Sequence, residues 1–213
     1  MPPQLSFEEA APSTEGSHYA LALIRKAKVR SSQDVLVNGA TGAIGSAAVQ
    51  LLKQLGAQVT ATCGTEHLEL VKSLGADRVI HYTVQDLTRD TQRYDSVLDA
   101  VGRSSFPRCR RLLKPHGVYL SSEFGPSSQN LVLALVAPLL GGRNVLLNIA
   151  RDDPRMASYL REVLESRAFR PLVDRRYRLE EIVDAYRYVE TGQKIGNVVV
   201  NIKPSASSRE AYR

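Results

Sequence analysis

The sequence predicts an α/β fold, a doubly wound parallel sheet of strand order 3-2-1-4-5-6 with helices on both faces. Three observations carry that expectation. Short β-branched and apolar runs alternate with amphipathic stretches along most of the 213 residues. The first of these runs passes through a glycine trio straight into a helical pattern. That run is also apolar on successive residues, as in a strand covered on both faces rather than one.

Taken in order, residues 1–16 read as an entry segment with little structure, and Ser17 is placed to N-cap a helix over 18–28, HYALALIRKAK. The first strand spans 34–37, Asp-Val-Leu-Val. Gly39, Gly42 and Gly45 follow it with the spacing G-x-x-G-x-x-G. The first allows a sharp exit from the strand, the second lets a pyrophosphate approach the backbone, and the third lets the helix lie close to the strand. The helix covers 43–55, with Ile44, Ala48, Leu51, Leu52 and Leu55 on one side. Thr41, Ala43 and Ile44 complete the loop and the helix start, whose free N–H groups and partial positive charge suit a phosphate. A second strand, QVTAT over 58–62, closes a unit of about thirty residues that suits a dinucleotide.

Beyond it the pattern predicts a helix over 66–73 stopped at Gly75, a third strand over 78–81, a helical turn within 83–89, and a fourth strand over 94–99 ending at Gly102. A helix over 104–113, a turn at Pro115-His116-Gly117 and a fifth strand over 118–121 come next. An apolar helix over 131–140 and a sixth strand over 144–149 complete the sheet. The rest is less regular: a helix over 154–167, a strand over 172–177, a helix over 179–191 and a strand over 196–202. One unit over 1–203 with a disordered tail over 204–213 is the domain division expected.

Composition narrows the function classes. The net charge of +6 is moderate and the aromatics are few, so solubility and attraction for an anionic cofactor are favoured over nucleic-acid binding. Arg103, Arg108, Arg110, Arg111 and Lys114 read as a solvated helix face. Cys63 and Cys109 lack metal or disulfide spacing, and His18, His67, His81 and His116 are too dispersed to join them in a zinc site. A reduced, cytoplasmic protein is expected. The run LVLALVAPLL over 131–140 is too short to span a bilayer and contains Pro138, so no membrane partner is expected. No hydrolytic or metal-binding signature occurs, and no acid or base can be named.

The segments LSFEEAAPS, VLVNGATGAIGSAAVQLLKQLGAQVTATC, VKSLGADRVIHY, YDSVLDAVG, LLKPHGVYLS and YRLEEIVDAYRYVETGQKIGNVVV, in that order, resemble the zinc-independent medium-chain dehydrogenase/reductase family of quinone oxidoreductase type. The resemblance implies the family's dinucleotide-binding, Rossmann domain without the catalytic domain that precedes LSFEEAAPS in its members. It implies hydride transfer from NADPH to a quinone, enone or related small carbonyl substrate, and a homodimer joined through the sixth-strand edge. The alternative is a non-catalytic NADP-binding or partner-binding module.

The end of the second strand bears on cofactor choice. NAD-preferring folds place a carboxylate there, on the ribose 2′-OH. Thr62, Cys63, Gly64 and Thr65 offer none before Glu66, so NADP is favoured over NAD. In the resembling NADPH enzymes a Ser and a Lys follow this strand and a Tyr follows the third. Tyr82 matches the Tyr, whereas Gly64 stands where Ser is usual and His67 where Lys is often found. Ala100 and Val101 match the family's fourth-strand exit. Ser121 and Ser122, at the end of the fifth strand, are expected near the nicotinamide by the same topology.

Overall fold

The computed structural model describes residues 5–123, 130, 133, 144–147 and 153–202. Six parallel strands form the main sheet: β1 (Asp34–Asn38), β2 (Gln58–Cys63), β3 (Arg78–His81), β4 (Tyr94–Asp99), β5 (Leu113–Ser121) and β6 (Asn144–Leu147). Their order is β3-β2-β1-β4-β5-β6, as the sequence pattern requires. The apolar run of β1 explains its central place. Val35 and Val37 belong to one core cluster and Leu36 to a second, all three fully buried, so successive residues feed the two faces of the sheet. The first cluster lies against α2 (Glu15–Ala27), α3 (Ala43–Gln54) and α6 (Pro154–Glu165). The second gathers Tyr94, Phe106, Leu112 and Tyr119.

The entry segment departs from expectation. From Leu5 onward it is organised: Ser6 and Glu9 form a capping box for α1 (Phe7–Ala10), and a 3-10 turn over Ala11–Ser13 leads into α2. Ser17 is therefore not an N-cap. It lies inside α2, buried, with its hydroxyl donating to the carbonyl of Ser13. The 3-10 turn runs through Thr14, in helical backbone, directly into α2, and inside that helix a Cβ on Gly16 would stand 2.9 Å from the carbonyl oxygen of Ala43 at the start of α3.

Two further expectations change in detail. The helix expected over 104–113 shortens to α5 (Phe106–Cys109) and a 3-10 turn over Arg110–Leu112, after which the chain is already in β5. The turn expected at Pro115-His116-Gly117 is an irregularity inside β5: His116 takes φ 65°, and pairing with β4 shifts between Tyr94 and Ser96. Lys114 accordingly does not join a solvated helix face. Its ammonium donates to Asp34 at 2.7 Å and Asp95 at 2.8 Å, tying β5 to β1 and β4. The helical turn within 83–89 is a 3-10 turn at Leu87–Arg89, and α4 (Leu68–Ser73) follows a 3-10 turn at Thr65–His67.

The C-terminal stretch forms its own two-stranded parallel sheet of β7 (Val173–Arg178) and β8 (Asn197–Asn201), joined through a 3-10 turn over Leu179–Glu181 and α7 (Ile182–Glu190). The apolar helix expected over 131–140 and the tail over 204–213 lie outside the described residues, apart from Leu133.

Candidate functional site

The glycine loop leaves the carboxyl end of β1 and becomes the N-terminus of α3. Gly39 takes φ 85°, and a Cβ there would stand 2.3 Å from a methyl carbon of Val101. A Cβ on Gly45 would stand 2.1 Å from the carbonyl oxygen of Gly39, so α3 can approach the strand exit only with glycine at this position. Gly42 is different. Its φ of −74° suits any residue, and a Cβ would meet only the Gly39 oxygen, at 3.8 Å. Nothing in the described chain demands glycine there, and a Cβ would find open space beyond that one oxygen.

Gly42 is also the N-cap of α3 and has no side chain to satisfy the first N–H groups of that helix, which leaves donors for an anion. Thr41, Gly42, Ala43, Ile44 and Gly45 lie in sequence across this loop and the helix start. The residues of this loop and helix are uncharged from Asn38 to Leu52, so attraction for a phosphate comes here from backbone dipoles.

At the end of β2, Cys63 is 1 % exposed as a whole residue, and burial pushes its thiol pKa up. Beyond it, the hydroxyl of Tyr82 would lie 3.5 Å from a Cβ on Gly64, close enough to share one subsite without filling it. Thr65 and Thr83 pair their hydroxyls at 2.9 Å. His67 approaches the Glu66 carboxylate at 3.4 Å, which brings one negative group to the cluster of Gly64, Thr65, His67 and Tyr82.

At the end of β4, the N–H of Ala100 donates to Asn38 O, and that of Ser122, after β5, to Asp99 O. These bonds extend the sheet ladder and set Ala100, Val101, Ser121 and Ser122 at its carboxyl edge. Ser121 is largely buried and accepts from the N–H of Glu123 at 3.1 Å. The topology brings the loops after β1, β2, β4 and β5 to one end of the sheet, as expected for a ligand at strand carboxyl ends.

Sequence reasoning missed what lies beneath the loop. Thr62 accepts from the N–H of Gly39 at 2.9 Å and donates to the Asn38 side chain at 2.8 Å. The Asn38 amide donates in turn to Asp99 at 3.0 Å. Asp99, fully buried, also accepts from Ser104 N–H and Tyr119 OH, both at 3.0 Å, and from Val101 N–H at 3.3 Å. Burial, and the Asp99 charge beside it, push the Tyr119 phenol far above its ordinary pKa, so it remains a donor. The signal available in the sequence was a polar residue at or next to the end of each of three strands: Asn38, Thr62 and Asp99.

A second missed feature is the crossing of the loop by the segment before β8. Gly196 N–H donates to Thr41 O at 2.6 Å, and Gly42 and Gly196 form a parallel bridge. The segment is held by Asp174, which accepts from Tyr188 OH at 2.6 Å and Ile195 N–H at 3.0 Å. Among the described residues no three His, Cys, Asp or Glu side chains gather as a metal site, and no helix is long and apolar enough to cross a membrane.

The sheet order and its glycine loop define a Rossmann-like α/β domain. The chain matches the family described as zinc-binding dehydrogenase over residues 74–200, and it belongs to that family, within the medium-chain dehydrogenase/reductases. It is 31 % identical to the 2-methylene-furan-3-one reductase of Solanum lycopersicum, covering 95 % of this chain and 49 % of that protein. It is 29 % identical to the chloroplastic NADPH-dependent alkenal/one oxidoreductase of Arabidopsis thaliana, over 93 % of this chain and 48 % of that protein. Among solved structures, the quinone oxidoreductase of Coxiella burnetii superposes with a TM-score of 0.84 at 27 % identity, covering 94 % of this chain and 62 % of that one. The chain spans about half the length of these curated relatives.

Proposed function

We propose that this chain is the NADP(H)-binding part of an oxidoreductase that transfers a hydride from NADPH to the electrophilic carbon of a quinone, enone or related carbonyl. One observation carries the reading: Gly42 is open where Gly39 and Gly45 are closed by the chain's own atoms, with the N-terminus of a twelve-residue helix behind it. A dinucleotide diphosphate has the charge and size for that space. The bound dinucleotide supplies the hydride, and the residues described here bind and orient it. Gly39, Thr41, Gly42, Ala43, Ile44 and Gly45 hold the diphosphate. Gly64, Thr65, His67 and Tyr82 flank the adenosine ribose, with Cys63 contributing backbone. Ala100, Val101, Ser121 and Ser122 line the approach to the nicotinamide.

The names of the relatives support the substrate class, since the tomato and Arabidopsis proteins are called a furanone reductase and an alkenal/one oxidoreductase. The preference for NADPH rests on the missing carboxylate at the end of β2 and on Tyr82. One observation favours NADH instead: the Glu66 carboxylate, beside His67, would oppose a 2′-phosphate. Calorimetric titration with NADPH and, separately, NADH tests both readings. Tighter NADPH binding is expected; tighter NADH binding would reassign the cofactor, and binding of neither would favour the non-catalytic module.

Part of the same proposal is a homodimer through β6, which ends the sheet order of the described strands. Light scattering at high concentration should give twice the chain mass, and a monomer there would count against it.

A further inference from the structure

The glycine loop and the residues after β4 leave neighbouring strands, and one closed circuit of contacts joins them. Gly39 N–H donates to the Thr62 hydroxyl at 2.9 Å, and that hydroxyl donates to Asn38 Oδ1 at 2.8 Å. Asn38 Nδ2 donates to Asp99 Oδ1 at 3.0 Å, and the same oxygen accepts from Val101 N–H at 3.3 Å. Val101 closes the circuit, because its side chain lies against Gly39, where a Cβ would stand 2.3 Å from a methyl carbon. Gly39 is thus held from two sides by the two ends of one chain of bonds.

Thr62 is the member for which chemistry leaves least choice. Its place needs one oxygen that accepts from an N–H and donates to a side-chain carbonyl, which a hydroxyl does. The residue is fully buried, so bulk water does not stand in for it. The paired register of β1 with β2 ends at Val37 and Ala61. Beyond it Thr62 takes the next two donors of the turning chain, Gly39 N–H with its hydroxyl and Ala40 N–H with its carbonyl, both at 2.9 Å. Valine has the same shape and would keep the second bond while losing the first.

We propose that Thr62 is a positioning residue for the dinucleotide: its hydroxyl locks the loop under the diphosphate to the β4 exit beside the nicotinamide. The two ends of one extended ligand are then held in a fixed relation, and the nicotinamide end adds to affinity only while the circuit is closed. This assignment rests on the cofactor reading and adds to it a coupling between the two halves of the site. Thr62 acts through Gly39 and Val101, not by touching the ligand.

The test is calorimetry on the 213-residue chain and on its Thr62→Val and Thr62→Ser variants, with NADPH and 2′-phospho-ADP-ribose, which lacks the nicotinamide. The parent is expected to bind NADPH more tightly, and the ratio of the two affinities measures what the nicotinamide adds. In Thr62→Val that ratio is expected to fall about tenfold. Thr62→Ser, which restores the hydroxyl, should keep most of it. An unchanged ratio in Thr62→Val overturns the assignment while leaving the cofactor reading in place. Loss of both probes by an equal factor, or altogether, overturns it too, since Thr62 would then be holding the fold. A ratio as low in Thr62→Ser as in Thr62→Val, or a parent that binds the two probes equally, also overturns it. Binding of neither probe by the parent chain overturns the cofactor reading itself.

Discussion

The two ends of the six-stranded sheet are held together by opposite kinds of chemistry. At the amino ends of the strands the bonds are ionic. Lys114 joins Asp34 and Asp95 across three strands, Lys53 meets Asp77 at 2.8 Å, and Arg78 grips Asp90 with both guanidinium arms at 2.7 and 2.8 Å. At the carboxyl ends the one buried carboxylate among the described residues, Asp99, is satisfied by the uncharged donors of Asn38, Val101, Ser104 and Tyr119. The difference has a functional sense. Ion pairs at the partly exposed amino end are screened and hold the sheet without constraining anything beyond it. Uncharged donors gathered on the Asp99 carboxylate order the strand exits at the carboxyl end, and the backbone N–H groups at the start of α3 have no side-chain cap.

The comparison breaks most sharply at Asp99. Asp99→Ala would orphan the Tyr119 hydroxyl and the Ser104 N–H, both buried, and is expected to cost about 3 kcal/mol or more in stability. Chemical denaturation measures it. Asp99→Asn keeps the shape and an acceptor, so a much smaller loss there is expected; equal losses would mean that the charge and not the network matters.

A smaller effect belongs to the ionic end. Asp90→Asn should cost about 1–2 kcal/mol at neutral pH, because Asp90 is buried but its partner Arg78 is partly exposed. Burial works to raise the Asp90 pKa, yet the hydrogen bonds from Arg78 and Tyr94 outweigh it and hold the carboxyl below its usual value. Its contribution is thus present above the unfolded carboxyl range, near about pH 4, and fades as pH falls through the lower folded value. Parent and Asn variant should therefore differ at pH 7 and converge in strong acid. A gap that stays constant down to pH 2 would show that Asp90 does not titrate with unfolding.

Both ends were unequally legible. Val35 to Val37 and the glycine trio could be read because their signals are local: a two-faced apolar run, and glycines at a spacing that one turn requires. Ser17 was misread because a serine before an apolar periodic stretch is an ordinary N-cap signal, whereas the chain enters α2 at Glu15 straight from the 3-10 turn over Ala11–Ser13. Lys114 was misread for the same kind of reason. The charged residues that precede it, Arg110 and Arg111, are cations, and its partners Asp34 and Asp95 are distant in sequence.

What the sequence by itself determined is the alternation of strands and helices, the loop after β1 and the distribution of apolar residues to two faces, all properties of residues near one another in the chain. Tertiary structure alone decided which glycine stays open, which polar strand ends meet in one network, and that Gly196 arrives at Thr41 and Gly42 from more than 150 residues away. The physical reason is that sterics and periodicity act over a few residues, while hydrogen bonds and charges act over ångströms, whatever the separation along the chain.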